Sequence, residues 1–223
     1  ALIEKYRDRN LADRVFDLAW THGQVTLQQI NASESDAQVY GRLASAIIYS
    51  NPEWRAHASV IKQNRRGQTD LWGYGISGDL PIVIVRVEDQ ENIGLVARMV
   101  QAHSYWRMKG LAVDLVVWNE NHSVYRDALG EKIDDLITAS AKLPAGQEGR
   151  VFSRRADQMS EEDKILMLTV ARIVISDRGG TLGEHLDRVA KSASPKLLSA
   201  ARKSLPERHE RPAQRADLVY FNG

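Results

Sequence analysis

The sequence predicts an α/β fold, in which an N-terminal helical hairpin is followed by a small three-stranded parallel βαβαβα unit and by C-terminal helices. Apolar residues recur at helical spacing through the first fifty positions, and short apolar runs alternate with helical segments from residue 82 onward. The runs at 82–87 and 113–118 are almost continuously apolar, which is typical of parallel strands covered on both faces. The expected domains are a helical hairpin (1–54), an α/β domain (55–190), and a final segment containing a basic helix, a linker and the start of a β-domain (191–223).

Two amphipathic segments predict the helical hairpin. Residues 2–20 place apolar side chains at helical spacing between charges, and Gly23 is expected to interrupt that helix. A second helix is expected over residues 36–49, because the polar stretch before it offers two capping boxes that would satisfy the free amides of a first turn. These candidate boxes are Ser33 with Asp36 and Ser35 with Gln38.

Strands and helices alternate after a polar stretch, residues 55–70, which lacks clear periodicity and is interpreted as a loop. This alternation favours a parallel sheet with helical crossovers. The segment at 161–176 is apolar nearly all round and follows a cap at Ser160, so we expect a buried helix there. The expected elements are, in order, a strand at 82–87, a helix at 93–108, a strand at 113–118, a helix at 125–139, a strand at 150–153, and helices at 161–176 and 181–190.

Composition excludes several functional classes. The 30 basic and 29 acidic residues give a net charge of +1, so no general attraction to nucleic acid is expected. The chain has no cysteine, which excludes disulfides, thiolate catalysis and cysteine-based zinc sites. The six histidines are scattered without ligand spacing, so we expect neither a metal nor a cofactor, and His103 is expected to be buried on a helix face. No apolar run approaches the roughly 20 residues that cross a bilayer, so direct membrane insertion is not expected.

A glycine-rich stretch, "LWGYGISGDLPIVIVRV" at residues 71–87, is the most distinctive local motif. A phosphate-binding loop and a nucleophile elbow both lead from a strand into a helix, whereas these glycines lead into a strand. We therefore interpret the stretch as a tight irregular turn in which Gly73, Gly75 and Gly78 permit positive φ. Pro81 suits the first residue of the strand that follows.

Four side chains of this turn are candidates for a site. Asp79 is expected to accept backbone hydrogen bonds from the turn, which is a structural role shared by many such residues. Trp72 and Tyr74 fit either lids on the core or a platform on which a sugar ring stacks. The candidate residues for a glucan contact or a structural turn are Trp72, Tyr74, Ser77 and Asp79.

An alternative site is expected at the opposite edge of the sheet, because ligands of open α/β sheets bind beyond the carboxyl ends of the strands. Carboxylates, an imidazole and a guanidinium follow the expected strands there. The candidates are Glu88, Glu120, His122 and Arg154. A free-standing small enzyme acting on a sugar or a phosphorylated substrate would use such a site, whereas a flat edge with an exposed apolar patch elsewhere would favour a docking module.

The last residues, "ADLVYFNG", predict a strand at 218–221 followed by an Asn222-Gly223 hairpin turn. A basic segment precedes them and is interpreted as a helix followed by a linker with two prolines. We therefore expect a β-rich domain to begin there, and the chain to be a piece of a longer polypeptide.

Several strings resemble a segment of the cyclic β-1,2-glucan synthases, which are very large bacterial inner-membrane proteins. The most specific is "LWGYGISGDLPI", within "NRRGQTDLWGYGISGDLPIVIVRV". The resemblance begins at "RVFDLAWTHGQVTLQQI", continues through "HSYWRMKGLAVDLVVWNE" and "GRVFSRRADQMSEED", and so covers almost the whole chain. The final "DLVYFNG" is similar to the start of the β-sandwich that precedes the catalytic barrel of cellobiose-phosphorylase-like enzymes.

The resemblance implies a parent glycosyltransferase that builds glucan from UDP-glucose, with a phosphorylase-like region that adjusts chain length. It implies that this segment is a non-catalytic connector near that region, at the cytoplasmic face of the inner membrane, and that the isolated chain is inactive. No stretch matches the general-acid motif of the barrel, so no catalytic residue is carried over. The implied partners are neighbouring domains of the same polypeptide, with β-1,2-glucan as a further candidate.

Overall fold

A computed structural model of the protein describes residues 9–121, 128–141 and 149–192. The basic C-terminal helix and the strand at 218–221 lie outside these ranges. The strands are β1 (Ile82–Val87), β2 (Asp114–Asn119), β3 (Val151–Arg155) and β4 (Ala171–Ser176). The helices are α1 (Arg9–Gln29), α2 (Glu34–Tyr49), α3 (Ala58–Ile61), α4 (Ile93–Met108), α5 (Ala128–Ala141), α6 (Glu161–Val170) and α7 (Leu182–Ser192).

The strands form one parallel sheet in the order β3-β2-β1-β4. The α/β class is confirmed, but the prediction of three strands was wrong, since the described residues contain four. The error lies in the run at 161–176, which is helical only to Val170 and then extends beside β1, with Val85 opposite Ile175. A continuous apolar run does not distinguish a buried helix from a buried strand, and the branched residues of "RIVIS" favour the strand.

Both faces of the sheet are buried, and β1 lies in its interior. One face carries Val83, Val85 and Val87 and packs against α2, α4, α5 and α7. The other carries Ile82 and Ile84 and packs against α6 and the 3-10 segment Gln68–Tyr74. The crossover helix between β3 and β4 therefore covers the face opposite to the helices that follow β1 and β2. The chain thus adds β2 and β3 on one side of β1 and β4 on the other. At such a change of direction, here between β1 and β4, open sheets leave a crevice at the carboxyl ends of the strands.

The N-terminal helices differ from expectation in detail. Gly23 does not interrupt α1, which is continuous from Arg9 to Gln29. Of the two candidate capping boxes, the one formed by Ser33 and Asp36 begins α2. The polar stretch at 55–70 was interpreted as a loop but contains the single turn α3 and the start of the 3-10 segment. Single-turn helices bury too little to leave a periodic pattern in the sequence.

Helix α2 belongs to the main core, whereas most of α1 does not. Tyr40, Leu43 and Ile47 of α2 are buried against the sheet side, and the indole of Trp106 donates to the Tyr40 carbonyl at 2.9 Å. In α1, every residue from 12 to 22 is exposed, and burial begins only at Thr26 and Leu27. Within the described ranges, no helix combines the length and apolar character needed to traverse a bilayer.

Candidate functional sites at the two edges of the sheet

The glycine-rich turn at the amino edge of the sheet is held by its own polar groups. Gly75 and Gly78 adopt φ of 71° and 78°, the left-handed region that glycine enters without a Cβ penalty. The Ser77 hydroxyl accepts a hydrogen bond from the Asp79 amide at 3.2 Å. The Gln68 side chain donates to the Ser77 carbonyl at 2.9 Å and to the Asp79 carboxylate at 3.1 Å. These contacts fix the chain as it enters β1.

The two aromatic residues of the turn lie in different environments. Trp72 is 61% exposed, which excludes one of its two alternatives, a lid on the core, and its indole donates to the Ser77 carbonyl at 3.3 Å. Tyr74 is half-buried, and its hydroxyl donates to Asp163 at 2.7 Å. Burial, reinforced by this bond to a carboxylate, raises the pKa of Tyr74 to about 12.

Asp163 is the point at which the turn is attached to the N-terminus of α6. It accepts hydrogen bonds from Tyr74, Arg66 and the cap residue Ser160, and its side chain is only 11% exposed. Burial alone would raise the pKa of this carboxyl, but the hydrogen bonds and the guanidinium outweigh it and hold the pKa below its usual value. Asp163 therefore has a structural role.

A cleft of about 480 Å³ opens beside the turn and includes Ser77 and Asp79 in its lining. Its floor contains Asp114, which is buried and accepts from the Arg150 amide at 3.0 Å. Burial raises the pKa of Asp114, and the nearby charge of Asp79 adds to that shift. Two carboxylates thus share the cleft with Arg107 and Arg150, so its charges are balanced.

At the carboxyl edge, Glu120 is the most buried of the three alternative candidates that the structure describes. It follows β2 directly and is 8% exposed. One carboxylate oxygen, Oε1, accepts from Arg86 Nε at 2.8 Å, while Oε2 has no partner among the described residues. The Arg86 guanidinium also lies 6.0 Å from the ring centroid of Trp118, whose indole N–H likewise finds no partner in the described ranges.

Glu88 lies at the same edge, but its partner is Arg178, which follows β4. Its carboxylate accepts from Arg178, with Nε and Nη2 at 2.8 and 2.6 Å from Oε2. Behind this pair, buried Asp177 accepts from the amides of Glu88 and Asp89 at 2.9 and 3.0 Å. Burial opposes ionisation, yet these backbone bonds outweigh it and keep the pKa of Asp177 below its usual value. The carboxyl ends of β1 and β4 are thereby joined.

The other two alternative candidates do not join this group. Arg154 donates to the carbonyls of Ser153 and Tyr74 and lies over the Phe152 ring, so the structure assigns it to the amino-edge turn. His122 lies outside the described residues. The sequence analysis missed Arg86, Trp118 and Arg178; the signal for Arg86 was a cation within the otherwise apolar strand "IVIVRV".

The chain is similar to a curated bacterial protein. It is 28% identical, over 232 aligned residues, to the cyclic beta-(1,2)-glucan synthase NdvB of Rhizobium meliloti (strain 1021). The alignment covers 99% of this chain but only 8% of that protein. No protein-family profile matches the sequence. The resemblance drawn from "LWGYGISGDLPI" is therefore confirmed: along almost its entire length the chain is similar to one segment of a cyclic beta-(1,2)-glucan synthase.

Proposed function

We propose that this chain is a non-catalytic connector of a cyclic β-1,2-glucan synthase, adjoining the phosphorylase-like module that adjusts glucan chain length. Its role is to position other parts of the same polypeptide at the cytoplasmic face of the bacterial inner membrane. The observation that carries the proposal is the exposed apolar surface of α1, which we call the α1 face. It consists of Phe16 and Trp20, which are 73% and 69% exposed, whereas Val15 and Leu18, 54% and 60% exposed, lie on other sides of the helix.

The α1 face continues a surface that is already buried. Phe16, Trp20 and Leu27 fall at positions i, i+4 and i+11 and therefore lie on one side of the helix. Leu27 is only 7% exposed, whereas the two aromatics preceding it on that side are open to solvent. A helix with about three exposed turns is marginally stable in water on its own, so an apolar face of this kind favours packing against a partner.

The partner we assign to the α1 face is another part of the same polypeptide. The chain spans 8% of the relative that it matches, so most of that protein lies outside the aligned segment. The polar side of α1 carries both Arg14 and Asp17, and the net charge of the chain is +1, so charge gives no preference for a membrane or a nucleic acid. Apolar packing of aromatic side chains is the interaction that this surface offers.

The test combines Phe16→Gln and Trp20→Gln in the parent polypeptide and in the isolated chain. In the isolated chain the pair should change the free energy of unfolding by no more than about 0.5 kcal/mol, because both side chains are exposed. In the parent, limited proteolysis within α1 should become about tenfold faster, because the docked helix is released. Arg14→Gln with Asp17→Gln is the matched control on the polar side and should leave proteolysis unchanged.

Two results would contradict the docking role. Equal proteolysis of the parent with and without the aromatic substitutions would show that the α1 face is not covered there. Concentration-dependent dimerisation of the isolated chain, abolished by the same substitutions, would assign the face to a second copy instead.

The absence of catalysis is tested separately with the isolated chain. We expect no release of glucose 1-phosphate from β-1,2-glucan and inorganic phosphate, since no residue here matches the general-acid motif of the phosphorylase-like barrel. If glucose 1-phosphate is released, and the release persists in Trp72→Ala but is lost in Glu120→Gln, the result would favour an enzyme with its site at the carboxyl edge instead.

A further inference from the structure

We propose that the carboxyl edge of the sheet holds a binding site for a neutral, polyhydroxylated ligand such as a saccharide. The site is a cleft of about 400 Å³ between the ends of β1 and β2 and the helices α3 and α6, which we call the Trp118 cleft. That volume falls within the roughly 300–1,000 Å³ typical of small-molecule sites. The cleft also lies at the carboxyl ends of the strands, where open α/β sheets bind their ligands.

The carrying observation is a pair of buried polar atoms on residues that line the Trp118 cleft. Trp118 is 1% exposed and Glu120 8% exposed, yet Trp118 Nε1 and Glu120 Oε2 have no hydrogen-bond partner in the part of the chain that the structure describes. A buried donor or acceptor without a partner costs more stability than an ordinary hydrogen bond contributes. Such a group calls for a partner, which can be an ordered water, an ion or a ligand.

One chemical group satisfies both atoms. The indole N–H only donates, and an ionised carboxylate only accepts. A hydroxyl accepts from the first and donates to the second, and a ligand with adjacent hydroxyls does so with two oxygens. Residues 118 and 120 are two apart along the chain, so their side chains leave the end of β2 toward the same face of the sheet.

The charges of the Trp118 cleft favour a neutral ligand over a phosphorylated one. Each cation that lines it already has a carboxylate partner, so none is free to neutralise a phosphate. The pairs are Arg86 with Glu120, Lys164 with Glu161 and Arg178 with Glu88. The remaining wall contains the half-buried apolar side chains of Val60, Ile165 and Leu168, which suit the C–H face of a sugar ring.

The test is an NMR titration of the full chain that follows its indole N–H resonances. The probes are glucose, the β-1,2-linked disaccharide sophorose, cellobiose and inorganic phosphate. We expect a saturable shift of the Trp118 resonance with a neutral saccharide, with a Kd on the order of 1 mM. The Trp106 resonance, whose N–H is already bonded to the Tyr40 carbonyl, is the internal control and should not move.

Two variants localise the effect. Trp118→Phe keeps an aromatic ring but removes the donor, and Glu120→Gln keeps the shape but adds a donor where an acceptor is needed. Each should weaken saccharide binding about tenfold, measured by isothermal titration calorimetry because Trp118→Phe lacks the indole N–H that the titration follows. Trp72→Phe is the matched control at the exposed indole of the other edge and should leave the affinity unchanged.

The remaining outcomes overturn the site. No shift of the Trp118 resonance with any saccharide would show that Trp118 Nε1 and Glu120 Oε2 do not bind one. A shift with phosphate only would refute the neutral ligand, and a shift confined to Trp72 would move the saccharide contact to the glycine-rich turn. None of these results bears on the docking of the α1 face, which is tested by proteolysis.

Discussion

Lowering the pH from 7 to 5 should destabilise this protein through one buried imidazole, that of His103 in α4. The side chain is 1% exposed, and its Nε2 lies 2.9 Å from the Val113 carbonyl, to which the neutral ring donates. Burial lowers the pKa of His103 from its ordinary 6.5 to about 4, although the bond to Val113 opposes that shift. The positive charge of nearby Arg107 adds to the lowering.

The sign and size of the effect follow from these two pKa values. Because the unfolded chain binds the proton more tightly than the folded chain, the free energy of unfolding falls as the pH drops below about 6.5 and stops falling below about 4. The difference corresponds to roughly 3 kcal/mol in total, about 2 kcal/mol of it between pH 7 and pH 5. Buried His185 has its pKa lowered by the same cause and adds to the loss with the same sign.

Urea denaturation at a series of pH values measures this dependence. The carboxylates whose pKa values are held low, such as Asp163 and Asp177, lose their contribution only at more acidic pH. Asp114, whose pKa burial raises, acts with the opposite sign to the imidazoles, so comparison with a His103 variant is what isolates the contribution of that ring. His103→Gln should flatten the slope there, whereas His22→Gln, at an exposed position in α1, should not. A wild-type His103 resonance that titrates near 6.5 would refute the reasoning without any variant.

Three further predictions concern the turn and the strand ends. Gly78→Ala should lower the free energy of unfolding by about 2 kcal/mol in urea denaturation, because φ is positive there and a Cβ would lie 2.9 Å from the Gln68 side chain. Gly73→Ala is the control: it has open space around it and should be neutral or slightly stabilising. Equal effects of the two substitutions would contradict this reasoning. Asp163→Ala should lower the free energy of unfolding by about 2 kcal/mol by the same measurement, since it removes the acceptor of the hydrogen bonds from Tyr74, Arg66 and Ser160. A loss below about 0.5 kcal/mol, the size expected of a surface substitution, would refute its structural role. Asp177→Ala should accelerate hydrogen exchange at the two backbone amides after β1, and unchanged exchange there would show that the carboxylate does not hold them.

The elements predicted correctly are those whose signal is local. The strand at 82–87 has the predicted bounds, because a proline, a glycine turn and an unbroken apolar run all mark the same segment. The helix at 93–108 likewise matches its prediction. The cap at Ser33 was predicted for the same reason, since a hydroxyl and a carboxylate three residues apart act within one helical turn.

The strand β4 was missed because its identity depends on a distant partner. The branched residues of this segment favour a strand, but the edge of β1 with which they pair is separated from them by about ninety positions in sequence. The exposure of α1 was unpredictable for a related reason. An apolar stripe in a sequence indicates that a face is to be buried but carries no information about what buries it.

The positions of candidate site residues were predicted correctly where the strand order alone decides at which edge of the sheet a residue lies. Strand order brings Glu88 and Glu120 to one edge and places Asp79 at the other. The direction of a long side chain is not decided by topology, and Arg154 therefore lies over Phe152 and bonds to the Tyr74 carbonyl instead of reaching Glu120. Arg86, one strand away, makes that contact.

The two edges of the sheet differ in how their polar atoms are used. At the amino edge, the hydroxyl of Ser77 and the carboxylate of Asp79 are both bound to groups within the turn, so the local hydrogen bonds account for their presence. At the carboxyl edge, Arg86 satisfies only one oxygen of Glu120, and the neighbouring indole of Trp118 satisfies nothing among the described residues. A fold gains no stability by burying such atoms, since apolar side chains of the same size would pack there without the free-energy cost of removing an unpaired polar atom from water. This asymmetry is why the glycine-rich turn is best explained by the entry into β1, and why the carboxyl edge is the better place to look for a ligand.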